Sequence, residues 1–335
     1  MPRIPLVLLA LVTTFAAAQD PSAPSSTPGR PIPNRTVPKP PSAGGASSKG
    51  ADQPSPTFKV SVKLVNVYTT VVDEHGAPIA SLKQADFNVT EDGIPEKIAV
   101  FQKESELPLS IAIAIDASGS TKKDLKLETD SARRFAHDIL RPVDVLSVYS
   151  FSENVEQVVP FTSDQRRIDR GIGEIVPGSA TALYDTIYLA SKDLMQRQGR
   201  KVMVLITDGG DTFSKIDYQQ AMRAATQSEV LLYSVIMVPV EQSAGRDTGG
   251  EHALIQLSRD TGGKHYYAKN LTQLDVAFHQ ISEELRTQYL IGYYPSRRLA
   301  SSDFRKIEVQ LEPSVPNAGS LQVRHRTGYY TSPLE

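Results

Sequence analysis

The chain has 335 residues, with 38 acidic against 36 basic side chains and a formal net charge of −2. Such a balance creates no field that would draw in nucleic acid, and that class of partner is set aside. The absence of cysteine excludes disulfides, cysteine-bound metals and a lipoprotein anchor, so stability has to come from a packed core.

At the start, Arg3 is followed by an apolar run over residues 4–18, and Ala16, Ala17 and Ala18 before Gln19 offer the small side chains that a signal peptidase cuts after. The expectation is a signal peptide over 1–18 and an exported mature chain, periplasmic, secreted or on the cell surface. The run falls short of the ~20 residues that a bilayer requires and no later segment reaches that length, so no membrane span is expected in the mature chain. Residues 19–57 are rich in Pro, Ser, Gly and Ala, with Ile32 and Val37 their only large aliphatic side chains. Such a segment cannot bury enough apolar area to offset its ordering entropy and reads as a disordered linker.

Order is expected from Phe58. Phe58, Val60, Val62 and Leu64 alternate, then the phase changes to Val65, Val67, Thr69 and Val71, which predicts a strand with a slip near Leu64. DFNVTED and KIAVFQ read as two short strands joined through Asp92-Gly93. Residues 58–106 therefore form a small antiparallel β-unit.

At Leu109 the pattern changes to LSIAIAID, a short unbroken apolar run of the kind found in strands covered on both faces. A helix is predicted over 121–140, with Leu125, Ala132, Phe135, Ala136 and Ile139 on one face and Pro142 beyond its end. VDVLSVYSF and VEQVVPF read as strands, 182–197 as an amphipathic helix, KVMVLITD as a strand, 218–228 as a helix and VLLYSVIMV as a strand. A short helix near Leu254, a strand at HYYA and a helix over 271–286 capped by Asn270 complete the unit. This alternation predicts, for residues 107–286, a doubly wound and mostly parallel α/β sheet.

Over 287–333, YLIGYY, FRKIEVQL and LQVRHRTGYY read as three strands, with Ile307, Val309 and Leu311 marking one inward face and Leu321 and Val323 another, and the tyrosines at 293, 294, 329 and 330 are expected to serve packing on these strands. Neither end of the chain has enough strands to stand alone. Both are expected to join in one antiparallel β-sandwich into which the α/β unit is inserted.

Ligands of doubly wound sheets sit beyond the carboxyl ends of the strands, so the residues just after each apolar run carry the information. Asp116, Ser118 and Ser120 of DASGS follow LSIAIAI, Thr181 in GSATALYD precedes a helix, and Asp208 of ITDGGDT ends the next apolar strand. All offer oxygen. The set resembles the metal-ion-dependent adhesion site of von Willebrand factor type A domains, which combines an Asp-x-Ser-x-Ser loop, a Thr and a further Asp. The resemblance covers about residues 109–286 and implies that Asp116, Ser118, Ser120, Thr181 and Asp208 form the site, with Ser179 in place of Thr181 if the register differs. EDG ahead of the domain and YLIGYYP after it are similar to segments of exported von Willebrand factor A-related proteins from Acidobacteria. Hydroxyls and carboxylates without His or Cys suit Mg²⁺, and also Mn²⁺ or Ca²⁺. The resemblance further implies that the two Asp act through water, that an Asp or Glu carboxylate from a protein or peptide partner completes the shell, and that the last helix moves when the site changes state.

Other chemistries fit less well. An aspartyl phosphohydrolase of the haloacid dehalogenase type needs a second carboxylate two residues after Asp116, where Ser118 stands. Ser118 lacks a GxSxG elbow, the six histidines form no helical pair, and Gly171 and Gly173 start a GxG without its third Gly. No enzymatic activity is expected. An exported scaffold whose cation only holds loops together is the alternative to a binding module.

Overall fold

The computed structural model describes residues 64–103, 107–238, 248–297 and 304–331. The expected signal peptide, the linker and the strand start at Phe58 lie outside the described residues.

The chain enters the described region through β1 (Val65–Val72), whose Val65, Val67 and Val71 are buried, in the phase expected after Leu64. Then come β2 (Phe87–Glu91), β3 (Ile94–Glu96) and β4 (Ile98–Lys103). The turn at Asp92-Gly93 has φ of 50° and 79°, the left-handed pair that matches the twist of a two-residue hairpin. It joins β2 to β3, not to KIAVFQ as expected. β4 leaves for the other sheet of the sandwich, and β3 had been too short and too exposed to show an alternation.

The α/β unit follows as β5 (Leu109–Asp116), a 3₁₀ turn at Thr121–Lys123, α1 (Leu125–Ile139), β6 (Val145–Phe151), β7 (Val155–Thr162), α2 (Gln165–Gly173) and α3 (Leu183–Met195). It continues through β8 (Arg200–Thr207), α4 (Tyr218–Gln227), β9 (Val230–Met237), α5 (Thr248–Thr261), β10 (His265–Ala268) and α6 (Leu271–Thr287). Six strands pair in the order β10-β9-β8-β5-β6-β7, every neighbour parallel except edge strand β7, which runs against β6. The unbroken apolar runs have their cause in the two covered faces. Ile111, Ile113 and Ile115 meet α1, α2 and α6 on one side, while the small Ala112 and Ala114 let α3 approach on the other, where α4 and α5 also pack. Full burial of each such isoleucine contributes roughly 2–3 kcal/mol. Phe135 of α1 stacks on Phe278 of α6 at 4.6 Å and binds these two helices side by side.

Helix α2 was not expected. Asp164 caps it by accepting from the amides of Arg166 and Arg167, and the supposed GxG lies inside it. Gly171 is there for packing, since a Cβ would sit 2.2 Å from Cγ2 of Val159 on β7.

The chain then returns as β11 (Tyr289–Tyr293), β12 (Phe304–Leu311), β13 (Gln322–Arg324) and β14 (Gly328–Tyr330). Two four-stranded sheets result, β13-β1-β11-β4 and β14-β12-β2-β3, and each mixes strands from before and after the α/β unit. LQVRHRTGYY, expected as one strand, is thus divided between the two sheets. The step between them is held by Thr327, whose amide donates to the Asp260 carbonyl at 2.9 Å, and Gly328 passes so close to the Arg305 carbonyl that a Cβ would lie 2.1 Å away. Between the sheets Glu91 accepts from the hydroxyls of Tyr293 and Tyr329, at 2.8 and 2.9 Å, beside the buried guanidinium of Arg305.

The sandwich and the α/β unit meet through a buried polar network. Glu284 of α6 accepts from the Tyr233 hydroxyl at 2.8 Å and pairs with Arg324 of β13 at 2.5 Å. Gln288, between α6 and β11, donates to Thr70 of β1 at 3.1 Å.

Candidate functional site

The connection β5–α1–β6 leads to one side of β5 while β8 lies on the other, so the carboxyl ends of β5 and β8 flank a topological switch point. Ile115 stands opposite Ile206, which brings the next residues, Asp116 and Thr207, side by side. Asp116 is fully buried, and both its oxygens are engaged. Oδ1 accepts from the Ser118 amide at 2.8 Å and Oδ2 from the Thr207 hydroxyl at 2.6 Å. The Thr121 hydroxyl tightens the loop by donating to the carbonyls of Asp116 and Ser118, at 2.9 and 3.1 Å. The Ser118 and Ser120 hydroxyls lie 3.0 Å apart, and Ser120 donates to Oδ1 of Asp208 at 3.0 Å. Four of the five residues singled out from the sequence therefore stand in one hydrogen-bonded run. Asp116 and Ser118 form its closed end, while exposed Ser120 and half-buried Asp208 form the end open to solvent.

Thr181 arrives on the loop ahead of α3. The Gly178 amide donates to the Ala117 carbonyl at 2.6 Å, and Gly119 passes so near that its Cβ would lie 3.3 Å from the Ser179 carbonyl. On the other side, the Thr181 amide donates to the Thr212 hydroxyl at 2.9 Å, and the Thr181 carbonyl accepts from the amides of Thr212 and Phe213 at 2.9 and 3.0 Å. The second loop is thereby fastened to both of the others. Among the described residues, Thr181 joins the group through its backbone and not through its hydroxyl. Ser179 turns elsewhere: its amide and hydroxyl both donate to Oε2 of Glu153, at 2.8 and 3.0 Å. The Ser179 amide and neighbouring donors hold the Glu153 carboxyl down at about 2.

Burial pushes the Asp116 carboxyl up to about 6 against the hydrogen bonds from Thr207 and Ser118, with the charge of Asp208 adding to the rise. Burial likewise raises Asp208, opposed by Ser120. Sequence reasoning missed two residues here. One is Thr207, whose signal was a hydroxyl at the last strand position before Asp208. The other is Glu128 in the first turn of α1, three residues after Leu125 and four before Ala132 and so on the apolar stripe. Glu128 is fully buried, and neither of its carboxylate oxygens has a hydrogen-bond partner. Burial, then the charges of Asp116, Asp208 and Asp124, push it up to about 9.

These residues fit a hard divalent cation. The donors are carboxylate and hydroxyl oxygens, the charges acting on Glu128 are all negative, and its orphaned oxygens lack the positive or donor group that buried carboxylates require. Among the described residues no three His, Asp or Glu side chains are grouped to hold a metal ion by themselves, so a cation here would depend on the serine and threonine hydroxyls.

Residues 111–210 match the family model described as von Willebrand factor type A domain. Curated protein sequences contain no match. Among solved structures, the PilB minor pilin from Streptococcus sanguinis is similar at 12% identity, over 54% of this chain and 62% of that one, with a TM-score of 0.44. This chain thus spans less than two thirds of the pilin. A von Willebrand factor type A protein from Catenulispora acidiphila is 11% identical over 81% of this chain and 75% of that one, with a TM-score of 0.48. An aerotolerance-related membrane protein from Bacteroides fragilis is 20% identical over 53% of this chain and 98% of that one, with a TM-score of 0.43. Domains of the matched type commonly serve as protein-interaction modules. The matched segment holds β6 to β8, nearly all of β5 and all five candidate residues, and over that segment the α/β unit of this chain is similar to a von Willebrand factor type A domain.

Proposed function

We propose that the protein is an exported, metal-dependent binding module. In this reading Asp116, Ser118, Ser120, Thr181 and Asp208 hold a Mg²⁺-type cation, Mn²⁺ and Ca²⁺ being the alternatives. The cation supplies a coordination position for an Asp or Glu carboxylate of a protein or peptide partner. The observation that carries the reading is the run from Thr207 through Asp116, Ser118 and Ser120 to Asp208, closed at one end and open at the other. Two donors orient Asp116, and Ser120 and Asp208 form the solvent-facing end of the run. Thr181 is preferred to Ser179 as the fifth residue because the Ser179 hydroxyl is committed to Glu153. Export rests on the leading 18 residues of the sequence, and among the described residues no helix is long and apolar enough to cross a membrane.

The burial of Asp116 and Ser118 favours a second reading, in which the cation only holds loops together in an exported scaffold. Calorimetric titration of chelator-treated protein with Mg²⁺, Mn²⁺ and Ca²⁺ tests for the cation. Envelope extract passed over immobilised wild-type and Asp116→Ala protein, with and without chelator, then separates the two readings. A partner retained only by the metal-loaded wild type, with the variant still folded, supports the module. A variant that loses its fold while the wild type retains nothing supports the scaffold. A wild type that binds no divalent cation ends both.

A further inference from the structure

Five carboxylates are buried among the described residues, and four have donors. Asp144 is held by Arg141, Glu284 by Tyr233 and Arg324, Glu91 by Tyr293 and Tyr329, and Asp116 by Thr207 and Ser118. Glu128 alone has no donor on either oxygen. A dry, unpaired carboxylate is strongly disfavoured, so this one needs either a proton or a positive charge that it reaches directly or through water. Its place in the fold points to the second. Glu128 is fixed to the DASGS loop by a short path: the Thr121 hydroxyl grips the carbonyls of Asp116 and Ser118, the Asp124 amide donates to the Thr121 carbonyl at 2.8 Å, and the Glu128 amide donates to the Asp124 carbonyl at 2.9 Å. The side chain then lies on the sheet-facing stripe of α1 with Leu125 and Ala132, within the electrostatic reach of Asp116 and Asp208.

We propose that Glu128 is an outer carboxylate of the cation site, accepting hydrogen bonds from water bound to the cation that Asp116 and Asp208 hold. The inference rests on the cation reading given above. Water is the link because Asp116, Asp208 and Glu128 are not grouped closely enough to hold one ion between them, and a hard divalent cation keeps part of its hydration shell. Groups in this outer position orient the bound water and add negative charge, and their loss weakens metal binding by about 10- to 100-fold.

The test is calorimetric titration of the full chain, stripped with chelator, with Mn²⁺ and with Mg²⁺, using wild type, Glu128→Gln and Glu128→Met. Both substitutions preserve length and remove the charge. The expected result is that both variants bind Mn²⁺ at least about tenfold more weakly while melting, in chelator, no lower than wild type. Variants that bind as tightly as a wild type that does bind overturn the role of Glu128 and leave the five-residue site standing. Variants that melt far below wild type in chelator also overturn it, because the side chain then serves the fold itself. A wild type that binds neither ion overturns the underlying reading, and Glu128 with it.

Discussion

Thr207, the last residue of β8, donates its hydroxyl to Oδ2 of Asp116, the last residue of β5, at 2.6 Å. With Oδ1 taken by the Ser118 amide, the carboxylate is held from two directions in a dry environment. Thr207→Val keeps the shape and removes one of these donors. Outer groups that orient metal ligands are worth about 10- to 100-fold in affinity, so the variant is expected to bind Mn²⁺ about tenfold more weakly. Its stability in chelator should fall by about 1–2 kcal/mol, because Oδ2 is left buried without a donor. Calorimetry showing wild-type affinity would remove Thr207 from the site.

Asp144 gives a pH dependence that owes nothing to the cation. Its side chain is 0% exposed and accepts from the Leu109 amide at 2.8 Å, the Arg141 amide at 3.0 Å and the Arg141 guanidinium at 2.8 Å. Burial works against its charge, yet Arg141 and the two amides outweigh burial and hold the carboxyl below its ordinary value. The stabilisation from a lowered carboxyl is fully present above the unfolded value and is lost as pH falls through the folded one. Asp144→Asn should therefore melt well below wild type at about pH 7, and the gap should narrow below about pH 4. A gap that stays constant from neutral to acid pH would assign the loss to packing and not to charge.

The parts of this fold that were legible in the sequence are those fixed by local pattern. β5, β8 and β9 showed themselves because covering both faces makes their middle positions almost continuously apolar, and Asp116 and Asp208 stood out as the acids at the ends of such runs. The elements that were misread depend on distant partners. α2 turns only Ile168 and Ile172 to the core, too few apolar positions to show a helical period, and its Gly171 serves the close packing on β7. The division of LQVRHRTGYY between sheets depends on Asp260, 67 residues earlier in the chain. Arg200 is buried because its guanidinium donates to the Leu285 carbonyl, 85 positions later in the chain. Glu128 went unnoticed for the same reason: an acid on an apolar stripe reads as a tolerated exception until its surroundings are known.

The junction between the α/β unit and the sandwich converges on Glu284. It joins α6 to β9 through Tyr233 and to β13 through Arg324, whose guanidinium lies 2.5 Å from Oε2. Glu284→Ala leaves Arg324 partly buried without its carboxylate, and removal of one partner from a buried pair costs about 3–5 kcal/mol. The variant is expected to lose stability of that order in urea unfolding and to exchange faster at the amides of α6 and β13 together. In the wild type, the same exchange measurement with and without Mg²⁺ tests whether α6 responds to the site. Protection over 271–294 that is unchanged by the cation would show this helix to be clamped by its Glu284 end.

Ser179 and Thr181 are two residues apart on the same loop and differ in what holds them. Ser179 gives its amide and hydroxyl to Glu153, while Thr181 is anchored by its backbone to Thr212 and Phe213, and its side chain carries no share of that anchoring. A hydroxyl not needed to hold its own loop can be given to a cation, whereas one bound to a carboxylate would first have to leave it. Thr181→Ala should therefore weaken Mn²⁺ binding by about tenfold or more with little change in melting temperature. Ser179→Ala should leave the affinity nearly unchanged and lower the melting temperature only slightly through the lost hydrogen bond to Glu153. If the two variants exchange these behaviours, the loop presents Ser179 to the ion, and Glu153 must release it on binding.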